Sequence, residues 1–308
     1  SYQWCCERGG WKWFITGERF ESVVCLNGDL QIDGDPWFGA RVYVGGTHVT
    51  MKSGSNPTFM DGYELGVEDV PLPGDEYIDG VLKAAALNGG RFIGPLPAGA
   101  FYAVGLGWGG RGLLGYMGVT GSYGAVVPIT PLRTIDLSTI NGAVWFDAPI
   151  AIRGTLDGQL TIGVNGDIEI WDDILYYDAT PLGGPNPGCD DVLGLIAAGH
   201  PNGDIIISYT TENQIDCVIH GSMMALQKNI EAEDYQHYPP RGDIVIYGGM
   251  MADYSIHLGD FTGDGFCISG YNRDYRYDPR LLTMPPPFFP LTGRFAVHSW
   301  EEVKRLEA

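Results

Sequence analysis

Five short runs of this chain share one pattern: Gly, then Asp or Gln, then Ile or Leu, any residue, then Ile. They occupy residues 28–32, 158–162, 166–170, 203–207 and 242–246. Each reads as a tight turn that delivers the chain into a short strand with alternate residues pointing inward. A turn-strand unit that recurs along a chain predicts stacked coils, each covering the hydrophobic edge of the one before. Residues 217–225 and 244–252 are the best longer copies. Alternation puts Cys217, Ile219, Gly221, Met223 and Ala225 on one face, with Ile244, Ile246, Gly248, Met250 and Ala252 stacked over them. The expected class is all-β, a right-handed β-solenoid, with a two-sheet β-sandwich as the alternative.

Composition narrows the function. Of 308 residues, 44% are hydrophobic and 18% charged, which excludes a highly charged disordered chain. With 46 Gly and 20 Pro, turns are frequent and long helices disfavoured. No strict Gly-X-Y period makes it collagen-like. The formal net charge of −20 repels phosphate backbones and argues against nucleic acid as a partner. The same charge attracts cations, calcium first among them. No run of apolar residues is long enough to span a bilayer. The sequence starts at Ser1 without a basic n-region or an apolar h-region. The expectation is a processed chain from which an export signal or anchor has been removed.

Cys5, Cys6, Cys25, Cys189, Cys217 and Cys267 form no CxxC or zinc spacing. An even count without metal spacing points to disulfides and an oxidising compartment, against the bland reading of buried thiols. Neighbours such as Cys5 and Cys6 rarely bond each other, so they would reach different partners, one of them in another subunit.

The chain divides into residues 1–74, N-terminal β coils; 75–140, an irregular Gly/Pro-rich excursion; 141–298, the main β-solenoid; and 299–308, a C-terminal helix, all within one continuous structural domain. Within the excursion, Val81–Leu87 reads as a helix stopped by Asn88-Gly89-Gly90. Residues 105–124 alternate Gly with large side chains, which suits either a loop or an extended arm lying against another backbone. Ser299 and Glu302 form a capping box for the last helix, which could cover the open end of a solenoid. Trp4, Trp11, Trp13, Trp108 and Tyr116 are the aromatic candidates for packing against a neighbouring subunit.

The order and wording of several segments resemble a family. They are Asp35-Pro36-Trp37-Phe38, Asp61–Val67 with Pro71-Leu72-Pro73, Gly154–Ile162 followed by Gly166–Ile170, Asp191–Ala197, and Tyr275–Leu281. Together they are similar to bacterial exported surface proteins of unknown function that carry a pilin-like (PilX-type) N-terminal membrane segment. The likeness covers most of the chain and departs most over residues 98–140. It implies export, envelope association and a β-solenoid body, and supplies no catalytic residues. The pilin-like hydrophobic start is not in this sequence.

Three constellations could carry chemistry. Asp190-Asp191 followed by Gly199-His200 is like the paired acids and Gly-His of polygalacturonase-like β-helix enzymes, where two carboxylates flank a glycosidic bond. The Asn-Thr-Asp and Arg-x-Lys companions are missing, and Asp191 more simply starts a strand. Asp260, Thr262 and Asp264 alternate oxygen ligands before Gly265, like half a calcium loop; Tyr271 stands where an EF-hand needs Glu. Tyr271–Asp278 mixes rings and charges, suited to stacking on sugar or to pinning the C-terminal segment. Arg241-Gly242-Asp243 is read as a turn, since the same Gly-Asp recurs without Arg. The six histidines show no metal spacing, and Gly105-x-Gly107-x-x-Gly110 lacks the strand-helix context of a dinucleotide site. The expected function is a non-catalytic extracellular or cell-surface protein that self-assembles into a pilus-like filament. The alternative is a carbohydrate-binding adhesin or a polysaccharide-degrading enzyme, with surface polysaccharide as partner.

Overall fold

The computed structural model describes residues 3–6, 12–180, 182–199 and 202–291, and the chain is all-β, strands outnumbering short helical turns throughout. The capping box at 299–308 and the aromatic candidate Trp11 lie outside the described residues.

Most strands stack side by side in parallel ladders. In the first ladder the order is Arg91–Ile93, Ala143–Phe146, Gln159–Val164, Val192–Ala197, residues 222–225, residues 249–252, Trp4–Cys6, Val24–Leu26, Val42–Val44 and Tyr63–Leu65. Its inward column runs Val144, Ile162, Leu195, Met223, Met250, Trp4, Val24, Val42, each essentially without solvent contact. A second ladder stacks Ile150, Ile168, Ile205, Ile230 and Ile256 in one column. β-Branched residues are stiff at χ1 and pack well on a pleated surface, so a column of Ile favours this arrangement over a helix. A third ladder joins residues 174–176, 217–219, 244–247 and 272–276. Near the N-terminus, Trp13–Ile15, Leu30–Asp33 and Val49–Met51 form one parallel set, and Arg19–Phe20, Trp37–Phe38 and Thr58–Phe59 another.

The 27-residue copies pair along their whole length, from Cys217↔Ile244 to Ala225↔Ala252. The expected inward face lies in the main core, and the opposite face of 217–225 is buried as well, with Met224 and Met251 in a second apolar cluster. The Gly-Asp/Gln runs, by contrast, fall on different ladders. Residues 168–170 and 205–207 pair directly, whereas 160–162 and 244–246 belong to the first and third ladders. The motif marks a corner followed by a strand, not one face of the stack.

The order of strands in space departs from the order along the chain. Trp4–Cys6 sits between residues 250–252 and Val24–Leu26, so among the described residues the chain passes first through the middle of the stack. It builds outward to Tyr63–Leu65, returns to the opposite end at Arg91–Ile93, and then fills the stack back toward its starting point. The return spans nine strand spacings, on the order of 43 Å. A buried ion cluster locks the junction: Glu18 accepts from Lys12 Nζ and Arg273 Nη1, each at 2.6 Å, and from the Ile15 N–H at 2.9 Å.

The return segment, residues 66–90, acts as a strap over the outer face of the first ladder. Asn27 grips it by both backbone groups of Val70, at 3.0 and 3.1 Å. Leu82 is buried against Trp145 over the bare backbone of Gly163. The helix expected over 81–87 begins earlier, at Asp75, and its middle, Ile78–Lys83, is a wider π-helical turn. Asn88 ends it as expected, donating from both its N–H and its side chain to Ala84 O.

The Gly-aromatic segment is not an arm. Ala100–Leu106 and Leu113–Thr120 form an antiparallel hairpin in the chain's own sheet, extended by Arg133–Asp136. Gly105 and Gly115 face each other across it, and the ring of Trp108 lies over both. The glycines are there to make room for their own tryptophan.

Candidate functional site

The Asp of the repeated motif has a job the sequence pattern did not disclose. Its carboxylate accepts a backbone N–H from the corner of the adjacent level. Asp29 takes His48 N at 3.0 Å, Asp167 takes Asp204 N at 3.0 Å, and Asp204 takes Asn229 N at 2.8 Å. Asp173 and Asp216 do the same for Val218 N and Asp243 N. A corner cannot continue the ladder, so its N–H groups need side-chain acceptors. Part of the chain's acidity is therefore structural.

Asp191 belongs to this set. It is buried and accepts Gly158 N at 2.6 Å, Asp178 N at 3.0 Å and the Cys189 thiol at 3.5 Å. This carboxylate thus serves three donors of the fold itself, and His200 lies outside the described residues. The half calcium loop closes on itself. Thr262 Oγ1 donates to Asp264 and accepts from Phe266 N, while Asp260 faces Ser269. Among the described residues no group of three or more His, Cys, Asp or Glu side chains could hold a metal. In the Arg-Gly-Asp run, Arg241 is buried over Tyr209 and Tyr271 rather than displayed. Tyr271–Asp278 is structural: Tyr271 OH donates to Asn213 O at 2.5 Å, and Arg273 belongs to the Glu18 cluster.

The cysteines do not form the expected framework among the described residues. Cys25, Cys189, Cys217 and Cys267 stand as free thiols. Cys217 points into the core, and burial pushes its thiol well above the usual range. Cys189 and Cys267 are raised by burial as well. Cys5 and Cys25 are register partners on adjacent strands, and the side chain of Cys6 lies outside the described residues. Two assembly candidates pack within the fold. Trp4 is a core residue packed edge-on against Phe14, and Tyr116 packs on Phe146 and Tyr102. Trp13 is half-buried beneath the Lys52 ammonium, and Trp108 is 37% exposed above its own hairpin.

A surface the sequence did not single out is the last level of the stack. Tyr63, Leu65 and Met51 continue the inward columns of Val42, Val44 and Ile32, which are buried. Nothing described lies over them, and they are 44%, 38% and 44% exposed. Val49–Met51, Thr58–Phe59 and Tyr63–Leu65 each pair on one side only among the described residues. Val42 N donates to Gly62 O, so alternation turns the backbone groups of Tyr63 and Leu65 away from the stack. Among the described residues the end thus combines the open cross-section of a core with N–H and C=O groups that no neighbouring strand takes up. Arg41, ion-paired with Glu64, gives it a charged rim.

No family model, curated protein or solved structure matches this chain.

At the opposite end the hairpin carries the sheet onward, and the exposed apolar side chains there are Val127, Ile129 and Leu132, 60%, 43% and 46% exposed. Between strap and stack lies a cavity of about 300 Å³, with Cys5, Met224 and Met251 on its floor and Leu72, Tyr77 and Leu291 on its walls. No helix among the described residues is long and apolar enough to cross a membrane.

Proposed function

We propose that the protein is a non-catalytic structural protein, a right-handed β-solenoid that self-assembles end to end into an extracellular or cell-surface filament. The observation that carries this reading is that, among the described residues, nothing covers the core at Met51, Tyr63 and Leu65 or pairs with the strand edges that border it. Exposed edges invite pairing with another chain, and a contiguous apolar end favours a partner that covers it. The partner is a second copy, because the far end offers a different apolar patch at Val127, Ile129 and Leu132. A contact between unlike surfaces of identical subunits runs head to tail, and it propagates into a filament wherever its rotation does not close a ring. Export and surface location follow the family resemblance.

The test is sedimentation and negative-stain microscopy of the purified chain over rising concentration. Wild type is expected to form linear polymers. Met51→Lys/Leu65→Lys, which places charge on the open core, and Val127→Asp/Ile129→Asp at the far end are each expected to leave monomers, while a mixture of the two forms dimers only. A wild-type chain that stays monomeric at its solubility limit, or polymers indifferent to both variants, would overturn the proposal.

A further inference from the structure

Four sulfur side chains occupy consecutive register positions on the outer face of the first ladder. Ile196 pairs with Met224, Met224 with Met251, Met251 with Cys5, Cys5 with Cys25, and Cys25 with Tyr43. All four are buried beneath the strap in one apolar cluster. The column crosses the junction where the chain's first strand meets its last levels, so these residues, 251 and 5 among them, are brought together only by the folded order. Three of the four, Met224, Met251 and Cys5, form the floor of the cavity under the strap, which gives a small solute a route to them.

We propose that this column is a binding site for a soft monovalent metal ion, Cu(I) by preference. Thiolate and thioether sulfurs together select such ions: hard cations take oxygen ligands, and Zn(II), which accepts Cys, His and carboxylate, does not take the thioether of Met. The spacing fits as well. Strands repeat at about 4.8 Å, close to the span of two metal–sulfur bonds of about 2.3 Å placed end to end. An ion between levels therefore meets one sulfur from each. Each thiol that ligates gives its proton to solvent, so binding weakens as pH falls. The plain alternative is that Met and Cys fill space in a hydrophobic seam, and the experiment separates the two.

Cu(I) is titrated anaerobically into the full chain against a chromogenic Cu(I) chelator, with metal–sulfur charge-transfer absorbance as a second readout. One tight equivalent is expected. Met224→Leu/Met251→Leu keeps volume and burial and leaves all six cysteines in place. It is expected to weaken binding by at least the tenfold or so that even outer ligand-shell changes cost. Cys5→Ala/Cys25→Ala is expected to abolish the tight equivalent and the charge-transfer band, and Cys189→Ala/Cys267→Ala to retain both, each with an unchanged far-ultraviolet spectrum. Equal affinity in wild type and the methionine pair would mean that scattered thiols bind the metal and would overturn the site. Absence of a tight equivalent in wild type would overturn it too.

Discussion

Gly221 and Gly248 stack in register where two successive levels turn from the third ladder into the first, with φ of 153° and 151°. A Cβ at Gly248 would also run into the Gly221 carbonyl. Gly248→Ala is therefore expected to cost at least about 2 kcal/mol in urea unfolding, from strain and collision together. The corner aspartates make a sharper pair. Asp204→Ala strips the acceptor from Asn229 N and should cost about 1–2 kcal/mol, whereas Asp204→Asn keeps an acceptor and removes a charge that helps push Asp167 upward. The Asn variant is expected to match or exceed wild type at neutral pH; equal losses would show that the carboxylate serves some other purpose. At Glu18, burial alone would raise the carboxyl, yet Arg273 and Lys12 outweigh it and hold it below the ordinary value. Glu18→Gln leaves two buried cations without their counter-ion, and a loss of about 3–5 kcal/mol is expected.

Among the elements, the strap is the one whose sequence gave least warning. Its helix is visible in Val81–Leu87, but nothing local says that it must lie on Trp145 and Gly163, residues far along the chain. Leu82→Ala is expected to cost about 2–5 kcal/mol and to make residues 66–80 open to proteases, because Leu82 is the strap's fully buried anchor. The parallel ladders were legible for a different reason. Stacking repeats the same environment at each level, so pairs such as 217–225 and 244–252 keep the same side-chain pattern and announce their pairing. Trp4-Cys5-Cys6 sits on the next level in the same ladder and bears no likeness to Met250-Met251-Ala252, so the midstack start of the chain was not readable. The Gly-aromatic segment misled because glycine reports a close approach without saying to what; here it is Trp108 of the same hairpin. Nothing local marks the open end, because Met51, Tyr63 and Leu65 continue buried columns and are exposed only where no further described level covers them.

For the whole molecule, charge and burial set opposite demands. Burial raises Asp167, Glu169, Asp173 and Glu231, and nearby carboxylates add to the effect. A carboxyl with a raised folded-state pKa binds its proton more tightly when folded, so stability grows as pH falls through that pKa and levels off near the unfolded values of about 4. Glu18, held low, works the other way, and its contribution disappears only in more acid solution. The thermal midpoint is therefore expected to be higher at pH 5 than at pH 7.5 and to drop below pH 4; a midpoint that only declines from pH 7.5 downward would contradict this. The same charge bears on assembly. Each subunit brings −20 to an end-to-end contact, while the ends themselves offer apolar side chains and strand edges. Repulsion between whole subunits is screened over about 10 Å at 0.1 M salt, whereas apolar burial is not weakened by salt. Polymerisation should then need salt, with the critical concentration falling steeply between low and moderate ionic strength and little thereafter. If salt instead dissolved polymers, ion pairs such as those around Arg41 and Glu64 would be carrying the contact and the apolar end would not.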